Sequence, residues 1–213
     1  MMSDQMLFLF ITAVGAYLLG SLNGAIIASK NVFKKDIRKF GSGNAGLTNF
    51  HRTFGAKGIL IVIAVDVLKT VAAALVGKWL AGFGGYDGSV GVMLAGFCVC
   101  LGHVYPVYYR FHGGKGILTG GTLAWVIDWR VGVCAWSMFL IFVVFTQYVS
   151  LGSIAAAITL AAAVCIFVPS PTAKILAVIC ALLIIFAHRE NIKRLRNGTE
   201  SKLSIGKSPK DGT

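Results

Sequence analysis

Residues 58–79 read GILIVIAVDVLKTVAAALVGKW. Spanning the roughly 30 Å hydrocarbon core of a bilayer takes about 20 helical residues, and this run is long enough to do so. It lacks the strict alternation of a membrane β-barrel strand, so it predicts a transmembrane helix. Six further apolar stretches resemble it, at about 5–28, 89–109, 115–128, 131–148, 151–168 and 172–188. The fourth of the seven, 115–128, is short for a full crossing at about 1.5 Å per residue. Seven spans use about 140 residues of a 213-residue chain, which leaves room only for short loops. The expectation is an all-α, polytopic integral membrane protein of one domain, 1–213, with seven transmembrane helices. Residues 197–213 read as a flexible cytoplasmic tail.

Composition agrees. Hydrophobic residues make up 56% of the chain and charged residues 13%, against about 25% charged in soluble domains. A soluble domain and a disordered chain are both excluded on that ground. The charge that remains is lopsided, with 20 Lys and Arg against 8 Asp and Glu. Sixteen of those 20 fall after the first, third and seventh stretches. Positive charge collects on the cytoplasmic side, so the N-terminus is expected outside and the C-terminus inside. The first stretch has no basic residue before it and several after it, the pattern of a retained span rather than a cleaved signal. The five cysteines lie in apolar runs without a C-x-x-C pair, and the four histidines are scattered. Neither a disulfide frame nor a structural zinc site is expected.

Four polar motifs interrupt the oil. Gly41-Ser42-Gly43-Asn44-Ala45-Gly46-Leu47-Thr48-Asn49, with Arg52 three residues on, formally matches G-x-G-x-x-G. The dinucleotide fingerprint requires a preceding strand, and here a membrane helix precedes, so that reading fails. What remains is a glycine-rich loop whose N–H groups can turn around an anion. The second motif runs Gly102-His103-Val104-Tyr105-Pro106, then Phe111-His112-Gly113-Gly114-Lys115-Gly116-Ile117-Leu118-Thr119. It is not a Walker A sequence, because Lys115 is followed by Gly116 rather than Ser or Thr. A flexible loop still feeds a helix N-terminus with a lysine beside it, which suits a phosphate. The third is the turn Val149-Ser150-Leu151-Gly152-Ser153. In the fourth, His188-Arg189-Glu190-Asn191, His188 and Asn191 share a helix face. All four follow odd-numbered spans and so share one side of the membrane. Asp66 and Lys69, three apart within the second span, form either a functional pair or a structural ion pair. Gly20-x-x-x-Gly24 and the Ala155–Ala163 run read as helix-packing faces.

A basic pocket at a membrane surface suits a small phosphorylated substrate and an acyl or lipid partner. It has no carboxylate cluster for metal-dependent phosphatidyl transfer and no H-x-x-x-x-D acyltransferase motif. The motifs closely resemble those of the bacterial acyl-phosphate:glycerol-3-phosphate acyltransferases, the PlsY-type family. Its patterns G-S-G-N-x-G-x-T-N-x-x-R, G-H-x-x-P-x-x-x-x-F-x-G-G-K-G and H-R-E-N-I-x-R-L-x-x-G-x-E occur here in order, the last ending at Glu200. Leu47, Leu118, Gln147 and Asn23 depart from the usual pattern. The resemblance implies a seven-helix enzyme of the bacterial cytoplasmic (inner) membrane, with its active site facing the cytoplasm. It implies acyl transfer from acyl phosphate to the 1-hydroxyl of glycerol 3-phosphate, the first acylation of phospholipid synthesis, with no cofactor and no metal. Its expected partners are glycerol 3-phosphate, acyl phosphate and membrane lipids. Lys115, His188 and Ser150 are the catalytic candidates. Ser42, Asn44, Thr48, Asn49, Arg52, His103, Gly113, Gly114, Gly116, Thr119, Ser153 and Asn191 join them as substrate-binding candidates. His188, His103 or a substrate phosphate is the base. A transporter of phosphorylated metabolites is the rival class, but no symmetry between halves is visible. Nucleic acid is excluded as a partner, because the basic tail lacks interleaved aromatics. Oligomeric state is not legible.

Overall fold

A computed structural model describes residues 4–203. Ten α-helices follow in order: α1 (Asp4–Gly20), α2 (Gly24–Phe33), α3 (Leu47–Phe54), α4 (Ile59–Phe83), α5 (Gly88–Val104), α6 (Ile117–Ile127), α7 (Trp129–Thr146), α8 (Val149–Phe167), α9 (Pro171–Ala187) and α10 (Arg189–Arg196). Single 3₁₀ turns lie at Ile37–Lys39 and Val107–Tyr109, and no strand occurs among the described residues.

Every expected apolar stretch is helical, but length separates them. Five helical segments are long and apolar enough to cross a membrane: Met6–Phe33, Ile59–Phe83, Gly88–Tyr109, Trp129–Thr146 and Val149–Phe167. A sixth arises if α9 and α10, bent by 56° between them, count as one span. The 11 residues of α6 rise only about 16 Å, roughly half the hydrocarbon thickness. Large apolar side chains such as Leu60 (80% exposed), Phe145 (82%) and Ile166 (74%) stand on the outer surface. In water they would be a liability; they suit contact with lipid.

The first stretch is broken rather than continuous. After α1, Asn23 takes extended backbone angles and its side-chain oxygen accepts from the Ile26 amide at 3.0 Å, starting α2 anew. Its Nδ2 donates to Ala45 O at 3.0 Å, which ties the break to the first glycine loop. Gly20 and Gly24 therefore do not form one packing face. A methyl on Gly20 would meet Val99 O of α5 at 2.4 Å, and one on Gly24 would meet Val62 O of α4 at 2.6 Å.

Further glycines bring α1, α4 and α5 into backbone contact. Added Cβ atoms would stand 2.5 Å from Gly91 O at Gly77, 2.0 Å from Gly77 O at Gly91, and 2.3 Å from Tyr17 O at Gly102. On the other side of the molecule, α8 and α9 pack through Ala157, Ala163, Ala173, Ala177 and Ala181, together with Leu160, Val164 and Ile184. Of the 155–163 run, Ala157 and Ala163 are buried in this packing, whereas Ala156 lines a cavity and Ala162 is exposed. The cavity lies among the helices on this second side, lined in part by α6, α7 and α8.

Candidate active site

The cavity has a volume of about 330 Å³. One end is polar, with Ser42, Asn44, Arg52, Lys115, His188, Asn191 and Arg194. The other is apolar, with Leu118, Ala135, Trp136, Phe139, Ala157 and Leu160, from α6, α7 and α8. Trp136 Nε1 donates to Gly121 O at 3.1 Å, which pins the indole against α6.

The two glycine loops meet at the polar end. Gly41 and Gly43 take positive φ (57° and 72°), a conformation that suits glycine, and turn the first loop under α3. Asn49 holds this loop closed: its Oδ1 accepts from Ser42 N at 3.0 Å, and its Nδ2 donates to Phe40 O and Asn44 O at 3.1 and 3.0 Å. Both amide hydrogens of Asn49 are thus engaged by the loop. In the second loop Gly113 N donates to Val104 O and Gly114 N to His103 O, while Gly113 O accepts from Ala45 N at 3.3 Å. A methyl on Gly113 would lie 2.1 Å from His103 O, and one on Gly114 would lie 2.2 Å from His103 Nε2. These glycines let the loop lie flat on the end of α5 and against the first loop. Gly116 (φ 79°) then starts α6, whose first N–H groups have no partner within the helix. Gly116, Ile117 and Leu118 line the cavity there.

Lys115 stands at that helix start. Its Nζ donates to Asn191 Oδ1. Burial pushes the ammonium down to about 8, and Arg194, Arg189 and Arg52 add to the effect while Glu200 opposes it. His188 is buried at the α9–α10 bend, with Nδ1 2.8 Å from Ile184 O. A carbonyl only accepts, so Nδ1 carries the proton and Nε2 is left with its lone pair. Burial lowers this imidazole to about 4, the Lys115 charge contributing, against the hydrogen bond to Ile184. The ring is neutral near pH 7. Ser153 Oγ is bonded back to Val149 O at 2.8 Å. Thr119 Oγ1 is buried without a hydrogen-bond partner among the described residues, while the buried Ser150 hydroxyl lies close enough to Glu200 to act on its carboxyl.

Twelve of the expected site residues therefore line one cavity: Ser42, Asn44, Thr48, Asn49, Arg52, His103, Lys115, Gly116, Ser150, Ser153, His188 and Asn191. Gly113, Gly114 and Thr119 do not; the two glycines lie behind it, as spacers between loops. Residues 197–203, expected to belong to a tail, cross the cavity instead, and 204–213 lie outside the described residues. Glu200 accepts from Asn191 Nδ2 and Arg194 Nε, each at 2.7 Å. Burial acts to raise this carboxyl, but hydrogen bonds from Asn191, Ser150 and Arg194, with the Arg194 charge, hold it below the usual glutamate range. Arg52 Nη2 donates to Ser201 O and Lys202 O at 3.3 Å, and Leu203 N donates to Gln147 O at 2.7 Å. Glu200, Arg194 and Asp66 were not among the sequence candidates for the site. The run ending at Glu200 carried the signal for the first two, since it continues the helix that bears His188 and Asn191. No group of three or more His, Cys, Asp or Glu able to hold a metal occurs among the described residues.

A bundle of apolar helices around a cavity that is cationic at one end and apolar at the other defines a membrane protein built for an anionic, lipid-like ligand. The comparisons give the class a family. The glycerol-3-phosphate acyltransferase family matches residues 10–198. A glycerol-3-phosphate acyltransferase of Thermoanaerobacter pseudethanolicus is 45% identical over 197 residues, 92% of this chain and 96% of the relative. One of Shouchella clausii is 40% identical over 199 residues, again 92% and 96%. A crystal structure of PlsY (YgiH), an integral membrane glycerol 3-phosphate acyltransferase, in its glycerol 3-phosphate form superposes with a TM-score of 0.82 at 33% identity, covering 92% of this chain and 96% of that one. Its lysophosphatidic acid form gives 0.80 at 32% identity, covering 91% and 94%. This chain belongs to the glycerol-3-phosphate acyltransferase family and is an integral membrane acyltransferase of that PlsY type.

Proposed function

We propose that this enzyme transfers an acyl group from acyl phosphate to the 1-hydroxyl of glycerol 3-phosphate, releasing 1-acyl-glycerol 3-phosphate and phosphate, at the cytoplasmic face of the inner membrane. One observation carries the reading: a single cavity joins the Lys115, Arg52 and Arg194 charges to an apolar groove between α6, α7 and α8. Two phosphorylated molecules repel each other, and three cations offset that repulsion. Arg52 and Arg194 suit bidentate phosphate contact, while Lys115 acts as a point charge. The apolar groove suits the acyl chain. Ser42, Asn44, Thr48 and Ser150 supply neutral hydrogen bonds. Relatives solved with glycerol 3-phosphate and with lysophosphatidic acid support both ends of this assignment.

In the reaction, the glycerol oxygen bonds to the acyl carbonyl carbon and the bond from that carbon to the phosphate oxygen breaks. Phosphate is a good leaving group and departs as the anion, held by the cations. The hydroxyl proton passes to the lone pair of His188 Nε2 or to a substrate phosphate oxygen. The N–H groups at the start of α6 face the oxygen that gains charge. No side chain is acylated. The topology that goes with this reading has seven membrane segments, α6 being a short one that begins below the surface, with the N-terminus outside. The clustering of basic residues after odd-numbered stretches supports it.

The test is purified protein in detergent with acyl phosphate and glycerol 3-phosphate, followed by phosphate release. Product from acyl phosphate, and none when acyl-CoA replaces it, is the expected result. Turnover with acyl-CoA, or an acylated side chain trapped with labelled donor, would overturn the donor or the mechanism respectively.

A further inference from the structure

Beneath the two glycine loops lies a buried group that the proposed mechanism leaves unused. Asp66 and Lys69 of α4 and His103 of α5 are all within a few per cent of full burial. Lys69 Nζ has three acceptors around it: Leu22 O at 2.7 Å, Asp66 Oδ1 at 2.7 Å and His103 Nδ1 at 3.0 Å. An ammonium has three N–H bonds and no lone pair, so each acceptor takes one. Leu22 O is a carbonyl freed by the break between α1 and α2. Asp66 Oδ1 also accepts from Gly24 N, the first residue after that break, at 3.2 Å.

This arrangement decides the state of His103. Its Nδ1 stands 3.0 Å from the Lys69 ammonium, closer than the 3.5 Å to Asp66 Oδ1, and a group that can only donate requires Nδ1 to accept through a lone pair. In a neutral ring the proton then sits on Nε2. The ring lines the cavity, Nε2 lies against Gly114, and no acceptor among the described residues bonds to Nε2. His188 is set the other way round, its proton on Nδ1 and its Nε2 bare. The two histidines of one cavity thus have opposite tautomers, each dictated by a neighbour that can play only one part.

We propose that His103 acts as a fixed hydrogen-bond donor, through Nε2–H, to a substrate oxygen that carries or gains negative charge, and that Lys69 and Asp66 are positioning residues that hold it in that tautomer. This excludes His103 as the base. It also gives the intramembrane ion pair a role in the site as well as in bridging the helix break. The oxygen is either that of a phosphate or that of the acyl carbonyl. The proposal rests on the acyl-transfer reading, but the tautomer does not, which allows the two to fail separately.

The first arm is the ¹⁵N spectrum of histidine-labelled protein in detergent, with the His103 signals assigned by their loss in His103→Gln. The expected spectrum shows Nε2 protonated and Nδ1 bare. A protonated Nδ1 in the wild-type protein overturns the proposal, whatever the activity assays show. The second arm is kinetic. His103→Gln places an amide donor near the Nε2 position and retains most activity, whereas His103→Phe fills the space without a donor and loses about 10²–10³-fold in kcat/KM. A loss confined to kcat assigns the carbonyl oxygen, and a rise in the KM of one substrate assigns its phosphate. Equal damage from Gln and Phe makes the ring a packing element and overturns the donor role. In Lys69→Met, Nδ1 loses its donor and faces Asp66 Oδ1 at 3.5 Å, so the His103 tautomer should invert and activity fall as in His103→Phe. An unchanged tautomer in a folded Lys69→Met protein removes Lys69 from the positioning role.

Discussion

The α1–α4–α5 side of the molecule and the α6–α9 side are built from the same small and aliphatic residues, yet they do opposite things. On the first side the glycines sit where a methyl would strike a neighbour's backbone. The obstructing atoms are Val99 O, Val62 O, Gly91 O, Gly77 O and Tyr17 O, at 2.0–2.6 Å. Backbone cannot step aside, so three helices are locked at one spacing. On the second side α7 and α8 also touch closely, a methyl on Gly152 lying 2.7 Å from Phe139 O, but along the groove wall of α6 the atoms that a methyl would meet are side chains: Ile184 Cδ1 at 2.9 Å from Gly120, and Trp136 Nε1 at 3.1 Å from Gly121. There the space left by small residues is open to a ligand. The first side is a scaffold that fixes Asp66, Lys69 and His103; the second is a groove whose contents can vary. Glycine content alone does not separate these uses. What separates them is whether backbone or side chain lies opposite.

The largest effect should come where the two sides meet. Lys115 stands between the loops of the scaffold and the start of α6. Lys115→Ala should reduce turnover by about 10³-fold or more, the scale for losing a charge that stabilises a transition state in a dry site, while thermal unfolding stays near wild type. Wild-type phosphate release from this variant would remove the cation from the reaction.

Next come the scaffold glycines. Gly102→Val puts a branched side chain where a single Cβ already lies 2.3 Å from Tyr17 O. Overpacking of this kind costs about 1–3 kcal/mol, and more when backbone must shift. The expected outcome is a lower midpoint in a thermal unfolding assay in detergent, with activity lost in step. In the groove, Ala156 lines the cavity from a half-buried position outside the packed core, so Ala156→Phe should leave the midpoint near wild type and instead shift donor preference toward shorter acyl chains. If both variants changed stability alike, or if Ala156→Phe left chain preference untouched, the division into scaffold and groove would not stand.

This division also marks how far the sequence could be read. The seven apolar stretches and the four polar motifs follow from hydropathy and charge counting, because burial in lipid imposes a strong local signal. Twelve candidates that line the cavity stood out in the sequence for a related reason: polar groups are costly near a bilayer and stand out against an apolar run. Gly113 and Gly114 lie outside the cavity lining, a placement the sequence does not reveal because flexible glycines look alike whether they face a ligand or a neighbouring loop. Their partners, Val104 O and Ala45 N, are identified only by the fold. The break at 21–23 was hidden inside an apolar run, and its cause, Asn23 capping α2 and reaching Ala45, requires a contact 22 positions away. Residues 197–203 read as a tail because they are polar and basic. Only in three dimensions do Glu200 and the Ser201 carbonyl meet Asn191, Arg194 and Arg52.

A smaller effect tests the electrostatics of the cavity. Lys115 is held down to about 8, so it is charged below that pH and progressively neutral above it. The KM for glycerol 3-phosphate should therefore be flat below about pH 8 and rise above it, by up to tenfold per pH unit. Lys115→Arg should flatten the profile across that range, because a guanidinium stays charged. A KM that does not change through pH 8 in the wild-type protein would place the phosphate elsewhere. His188, already neutral above about 4, should contribute no break in the same range.

The smallest effect concerns the strap over the cavity and sharpens the last one. Glu200 is the one carboxylate that raises the Lys115 value, against three arginines that lower it. Glu200→Gln keeps one oxygen, enough to accept from either Asn191 or Arg194 but not both, and removes the charge. Lys115 should then lose its proton more easily, and the pH at which KM begins to rise should move down by a fraction of a unit. The ion pair with Arg194 joins a carboxylate 7% accessible to an arginine side chain 38% accessible. Exposed pairs are worth about 0–1 kcal/mol and buried ones more, so a thermal unfolding scan of the variant accompanies the pH profile. A shift of the break to higher pH would mean that Glu200 does not act on Lys115 through its charge. In that case the strap's hydrogen bonds to Asn191 and Arg52 would be its only hold on the site. The direction of the shift therefore separates a strap that tunes the phosphate cation from one that only covers it.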